Sequence, residues 1–206
     1  MPSALLTRHT HHTRPTLTVL GDAVLTLSRC HEICGPARRS FALMAAARTT
    51  GPVIWIRPGW VPEQLNPDGV VNWINPGRLL TVNARRAEDL LWSMEEVLRS
   101  GAVALVVTDL PAPPGLTPVR RLHLAAETGT AEGSHAPLGL VLTPGDGGAA
   151  GVESRWHIAP RHAPSRTGWQ LERRRARNAA PAIWQLEQSS GDKDLTITPG
   201  ASHTQM

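Results

Sequence analysis

Residues 85–109 set the frame for everything else in the chain. From Arg85 to Arg99 the apolar residues Leu90, Leu91, Met94, Val97 and Leu98 recur at helical spacing, which leaves Arg85, Glu88, Asp89, Glu95, Glu96 and Arg99 for solvent. Ser100-Gly101 ends that amphipathic stretch, and Ala102-Val103-Ala104-Leu105-Val106-Val107-Thr108 then runs without polar alternation to Asp109. A strand of this kind has to be covered on both faces, as in a parallel sheet. A second helix is expected over Phe41-Ala42-Leu43-Met44-Ala45-Ala46-Ala47-Arg48, ended by Gly51-Pro52, and short buried strands over Val53–Ile56 and Leu138–Leu142. The expected class is α/β, with a mostly parallel central sheet flanked by helices.

Ahead of the first helix stands Arg29-Cys30-His31-Glu32-Ile33-Cys34-Gly35-Pro36-Ala37-Arg38-Arg39-Ser40. A working phosphate loop reads GxxxxGK[ST], because glycines let backbone N–H groups wrap the phosphates, a lysine reaches the terminal ones and a hydroxyl holds magnesium. Here Gly35, with Pro36 beside it, and Ser40 are what remains of that pattern. The second glycine is missing, the loop is short by about two residues, and no lysine precedes Lys193. Asp109, at the end of an apolar strand, reads either as a carboxylate able to hold magnesium through water or as a turn or cap residue. Gly35, Pro36, Ser40 and Asp109 thus form a degenerate nucleotide site, with no catalytic residue, cofactor or metal expected.

Taken together these segments resemble the RecA recombinase core, and more closely the ImuA family, RecA-like accessory proteins of bacterial damage-inducible mutagenesis cassettes. The resemblance runs from about Leu17 to Glu187 and rests on His31-Glu32-Ile33-Cys34-Gly35-Pro36, on Leu98-Arg99-Ser100-Gly101-Ala102-Val103, on Asp109 at the Walker B position and on Leu116 to Glu127. It implies a RecA-like core and an adaptor role in error-prone translesion synthesis during the SOS response. The implied partners are an ImuB-like protein, an error-prone C-family DNA polymerase and RecA itself. Recombinases carry an acidic pair after the second strand, whose glutamate activates water, whereas this chain reads Arg57-Pro58-Gly59-Trp60. Two other readings stay open: a residual ATP or GTP switch, and an SOS cell-division inhibitor similar to SulA.

The C-terminal third concentrates the positive charge. Arg155 to Arg177 holds seven arginines against the single acid Glu172, while the whole chain carries a net charge of +4. Such a patch suits phosphate backbones or an acidic partner. Arg155, Arg173, Arg174, Arg175 and Arg177, with Trp169 and Trp184, are the candidate partner or DNA contacts, set against a reading of the tryptophans, Trp156 included, as core and the arginines as solvated surface. The resemblance adds that Arg175 and Arg177, ahead of Ala179-Ala180-Pro181, match the basic pair that recombinases extend to a neighbour's ATP, which would let this chain cap a recombinase filament. Thr143 to Gly151 falls where recombinases have a mobile DNA-binding loop, but it holds no cation or aromatic, and it reads as a flexible connection.

With 41% hydrophobic content in 206 residues, one core and one domain are expected over residues 17–188, between flexible tails at 1–16 and 189–206. Room is lacking for the recombinase polymerisation helix or a further C-terminal domain, so long self-filaments are not expected. Cys30 and Cys34 share one face of an apparent strand and read as buried free thiols; His9, His11 and His12 read as part of a polar tail. His123 and Glu127, four apart, read as helix salt bridging. No secretory core or membrane-length apolar run is present, so a cytoplasmic, nucleoid-associated location without membrane contact is expected. Twenty arginines against one lysine, with no tyrosine, read as a codon-composition bias.

Overall fold

The amphipathic 85–99 stretch and the apolar run behind it fold as a helix and a buried strand, and they lie near the middle of a large sheet. The computed structural model describes residues 14–189 and 195–200. In chain order it contains β1 (Thr16–Leu20), β2 (Ala23–Thr26), β3 (Cys30–Cys34), α1 (Arg38–Ala46), β4 (Val53–Pro58), α2 (Pro67–Val70), β5 (Leu79–Ala84), α3 (Ala87–Ser100), β6 (Leu105–Asp109), α4 (Leu116–Glu132), β7 (Leu138–Thr143), β8 (Ser154–Pro160), β9 (Arg166–Ala176), β10 (Ala182–Ser189) and β11 (Thr196–Pro199). β1 and β2 form a separate hairpin, and the other nine strands form one sheet in the order β11-β10-β9-β8-β3-β7-β6-β4-β5. The pairings from β8 through β3, β7, β6 and β4 to β5 are all parallel. β8 to β11 continue the sheet as antiparallel neighbours. The class is α/β with a mostly parallel sheet.

Side-chain alternation along the strands feeds two cores. Ile33, Trp55, Leu105, Val107, Leu138, Leu140 and Leu142 face α1 and the β1–β2 hairpin, together with Phe41, Trp156, Trp169 and Trp184. Cys30, Ile56, Val106 and Val141 face α3 and α4, where Leu90, Met94, Leu98, Leu122 and Ala126 cover them. α3 carries Glu88 and Asp89 in its first turn and Arg99 in its last, which complements the helix dipole, and it stops at Gly101 in the left-handed region, φ +56°.

α3 and α4 meet through glycine. A Cβ on Gly129 would stand 2.0 Å from the Leu98 carbonyl oxygen, so only a bare Cα lets α4 pass the end of α3. Gly101 then accepts the backbone N–H groups of Ser134 and His135, both at 3.1 Å, and turns the chain toward β7.

The expected ends need correction. Residues 189–206 were expected as a loose tail, yet Thr196–Pro199 is β11, paired with β10 through Ile197 opposite Leu186. A β-edge left bare invites unwanted pairing, and this short strand covers that of β10. At the other end Thr16 already belongs to β1, and Arg14 pairs with Glu127 at 2.9 Å. The N-terminal histidines and residues 190–194 lie outside the described residues. No helix among the described residues is long and apolar enough to cross a membrane.

Gly129→Ala is expected to destabilise the fold by about 3 kcal/mol through overpacking against backbone, read as a lowered denaturation midpoint. An unchanged midpoint would show that the helices separate freely at this crossing.

Candidate functional site

β3 ends at Cys34, and Gly35 turns the chain into α1 with φ +90°. A Cβ at Gly35 would lie 2.5 Å from the Ile158 carbonyl, so this glycine is required by the close approach of β8. The loop's N–H groups are spent internally. Gly35 donates to Gly145 at 3.0 Å, Ala37 to Ile158 at 3.2 Å and Ser40 to Ala37 at 2.9 Å, while Pro36 has none to give. A phosphate loop works by aiming such donors at the ligand. Here Gly35, Pro36 and Ser40 do not form that cradle.

The carboxylate at the end of β6 is also engaged. Asp109 is buried and accepts Arg39 Nε on both oxygens at 3.2 Å, with Trp55 Nε1 adding a donor at 2.9 Å. The Asp109 carboxylate is therefore paired inside the protein. One strand further, buried Arg57 donates to Asn83 Oδ1 at 2.8 Å and to the Val61 and Glu63 carbonyls, folding the following loop over the end of β4. Arginines from two elements thus close this end of the sheet with hydrogen bonds to the protein itself.

A third strand end is held by Glu32, which is fully buried on the same face of β3 as Cys30 and Cys34. It accepts the Thr143 hydroxyl at 2.7 Å, the N–H of Gly148 at 2.8 Å, that of Ala149 at 3.0 Å, and the guanidinium of Arg155. The 143–151 segment, expected as a flexible connection, is instead pinned at its middle to the central strand. Burial and the neighbouring Glu32 carboxylate raise both thiols, Cys34 to about 12, so neither is a nucleophile near neutral pH. Both cysteines are free and buried.

The arginine patch is largely neutralised by carboxylates from elsewhere in the chain. Arg155 is spent on Glu32, Arg174 on Glu172 and Asp146, Arg177 on Glu153 and Arg166 on Glu187. Arg173 lies over the rings of Trp156 and Trp184, 5.6 and 5.0 Å from their centroids, and donates through Nε to the Ala180 carbonyl at 2.9 Å. Arg161 and Arg175 are exposed and have no carboxylate partner among the described residues. Trp169 and Trp184, candidates for stacking on bases, are 5% and 6% exposed and belong to the core with Trp156. Their rings pack on one another and on Trp73 and Phe41, so they stabilise β8, β9 and β10 and offer no face to a base. Glu127 pairs with Arg14 and Arg29, while His123 reaches the Cys30 carbonyl at 3.4 Å.

Sequence reasoning missed one cluster. His31, on the other face of β3, is buried, with Nδ1 2.6 Å from Ser154 Oγ and Nε2 3.0 Å from the Thr26 carbonyl. Trp156 Nε1 donates to the same hydroxyl at 2.7 Å. One proton arrangement satisfies every atom: indole to hydroxyl, hydroxyl to Nδ1, and Nε2–H to the carbonyl, with a neutral ring. His31 and Ser154 lie 123 residues apart, and no local pattern links them. Burial lowers the His31 pKa to about 4, a value too acidic for the base of a nucleophilic serine at neutral pH. The pair therefore serves to fasten β2 and β8 to β3.

The cleft between α3 and α4, about 580 Å³, has an apolar lining of Leu91, Trp92, Pro118 and Leu122. Its charged rim is paired internally, Arg86 with Asp89 at 3.1 Å and Arg121 with Glu95 at 2.8 Å, so no polar group is left to orient a substrate.

Two outcomes test these contacts. Glu32→Ala strands the Arg155 charge and two loop N–H groups, and it is expected to cost about 3–5 kcal/mol in chemical denaturation; a loss under about 1 kcal/mol would mean that solvent replaces the carboxylate. For His31 the folded value lies below the ordinary 6.5, so the unfolded chain binds the extra proton between about pH 6.5 and 4. Stability is full above that window and falls as pH drops through it, by about 3 kcal/mol in all. His31→Gln should lose about 2 kcal/mol less than wild type between pH 7 and 4.5, and parallel losses would show that the ring is freely protonated in the fold.

No protein-family model matches the chain, and no curated protein matches it either.

Proposed function

We propose that this protein is a non-catalytic, RecA-like adaptor in damage-induced translesion DNA synthesis, similar to ImuA. The observation that carries the reading is the Arg39–Asp109 pair, in which the carboxylate that a nucleotide site would use for its metal ion is already answered by a protein cation. The loop donors already committed to Gly145 and Ile158, and the arginine at the end of β4, support the same conclusion. The parallel strand series around β3, with α1 opening directly after the Gly35 turn, is compatible with a RecA-like core.

An adaptor acts through its surface. Arg161 and Arg175 are the arginines of the C-terminal third that carry free charge among the described residues, one near each end of β9. They offer docking points for an acidic face of an ImuB-like protein, of the C-family polymerase or of RecA. DNA contact, if direct, falls to the same arginines.

The test is affinity recovery from DNA-damaged cells with wild-type protein and with the double variant Arg161→Glu/Arg175→Glu, both checked for native circular dichroism. Loss of the ImuB-like protein or of RecA from the variant alone is the expected result. Equal recovery of both partners by wild type and variant would remove this surface from the adaptor reading, and recovery of neither by wild type would overturn the adaptor reading itself.

A further inference from the structure

At the opposite end of the sheet from the Gly35 turn, the β1–β2 hairpin and the end of β9 enclose a cleft of about 230 Å³. His31 and Ser154 lie at its lining, with Glu153, Arg173, Arg177 and Asn178 around them. His31 and Ser154 spend their polar atoms on each other, on Thr26 and on Trp156, so the cleft's charge comes from the remaining groups.

Glu153 and Arg177 also end a series of ion pairs that reaches residues outside the cleft's lining. Arg14 meets Glu127 at 2.9 Å, Glu127 meets Arg29 at 2.7 Å, Arg29 meets Glu153 at 3.6 Å, and Glu153 meets Arg177 at 3.3 Å. Of the charged groups that line the cleft, Arg173 and Arg177 face the single carboxylate Glu153, a surplus of one positive charge. Arg177 approaches Glu153 through Nε, and Arg173 spends its Nε on Ala180. The terminal N–H groups of both arginines, and the Asn178 amide, have no hydrogen-bond partner among the described residues. Arg173 is held in place by its two indole neighbours, so little side-chain freedom remains to be lost on binding.

We infer that this cleft binds a phosphomonoester, whose acceptor oxygens match the terminal N–H groups of Arg173 and Arg177 and the Asn178 amide. The inference goes beyond the adaptor reading, since it assigns a ligand to a site separate from Arg161 and Arg175. A free phosphate and the terminal phosphate of a DNA strand share the chemistry, and both are of a size for the phosphate group to enter.

Binding is read from intrinsic tryptophan fluorescence, because Arg173 contacts two indoles, and from titration calorimetry. The full chain at pH 7.5 and low salt is titrated with inorganic phosphate, with a 5′-phosphorylated oligodeoxynucleotide and with the same oligonucleotide lacking the phosphate. Saturable binding of phosphate, or of the phosphorylated strand at least about tenfold tighter than its unphosphorylated form, is the expected result; the first points to a small-molecule source and the second to a DNA end. Arg177→Gln, exposed and outside the core, should weaken binding by about tenfold or more, whereas Arg85→Gln, exposed on the chain ahead of α3, should leave it unchanged. Arg173→Gln is a weaker test because it also removes the contact with both tryptophans. Absence of saturation with all three probes, equal affinity for both oligonucleotides without phosphate binding, or an unchanged Arg177→Gln would each overturn the inference.

Discussion

The buried Glu32 carboxylate is the contact on which the arrangement of the strand ends depends. It sits on the central strand β3, with parallel neighbours on both sides, and its acceptors reach the end of β7, the following glycine-rich segment and β8 at once. A charge with no exposure is tolerable only when its lone pairs are all answered, and here a hydroxyl, two backbone N–H groups and a guanidinium answer them. The reach from β7 back to β8 follows from this one residue. So does the proximity of Gly145 to Gly35, which consumes a donor that a phosphate loop would offer to a ligand.

Arginines answer buried acceptors at further strand ends along the sheet. Arg39 answers Asp109, Arg57 answers the loop carbonyls after β4, and Arg155 answers Glu32. Each guanidinium carries several donors in a fixed plane, so one arginine can close a strand end that would otherwise need water, metal or ligand. A chain with twenty arginines and one lysine has this option at many positions. What looks in sequence like composition bias thus has structural use.

On the far side of the sheet the aromatic residues do comparable work. Phe41, Trp156, Trp184 and Trp169 bind the antiparallel extension to α1 and the hairpin, and Arg173 caps two of the rings. The charge that remains outside this packing lies at exposed Arg161 and exposed Arg175, near opposite ends of β9, and in the cleft between β9 and the hairpin.

The strands and helices of the parallel region were legible because burial on two faces leaves a continuous apolar run, and burial on one leaves a helical period; Leu105–Asp109 and Ala87–Ser100 lie where those patterns placed them. The buried thiols followed from the same alternation. β11 was not legible, since four residues with weak apolar character become a strand only when an edge is there to pair with. Nor was the state of the arginines. Local composition counts seven positive charges between Arg155 and Arg177, but Glu32 comes from the distant strand β3 and Asp146, Glu153 and Glu187 from just outside that window, and which arginine each meets depends on distance in space. The sequence by itself determined the α/β class, the absence of a complete phosphate-loop pattern and the burial of the strands, because these depend on residue type and period. Only the tertiary structure decided which charges are spent, which tryptophans are core and where a cleft remains, because each of these depends on groups that folding alone brings together.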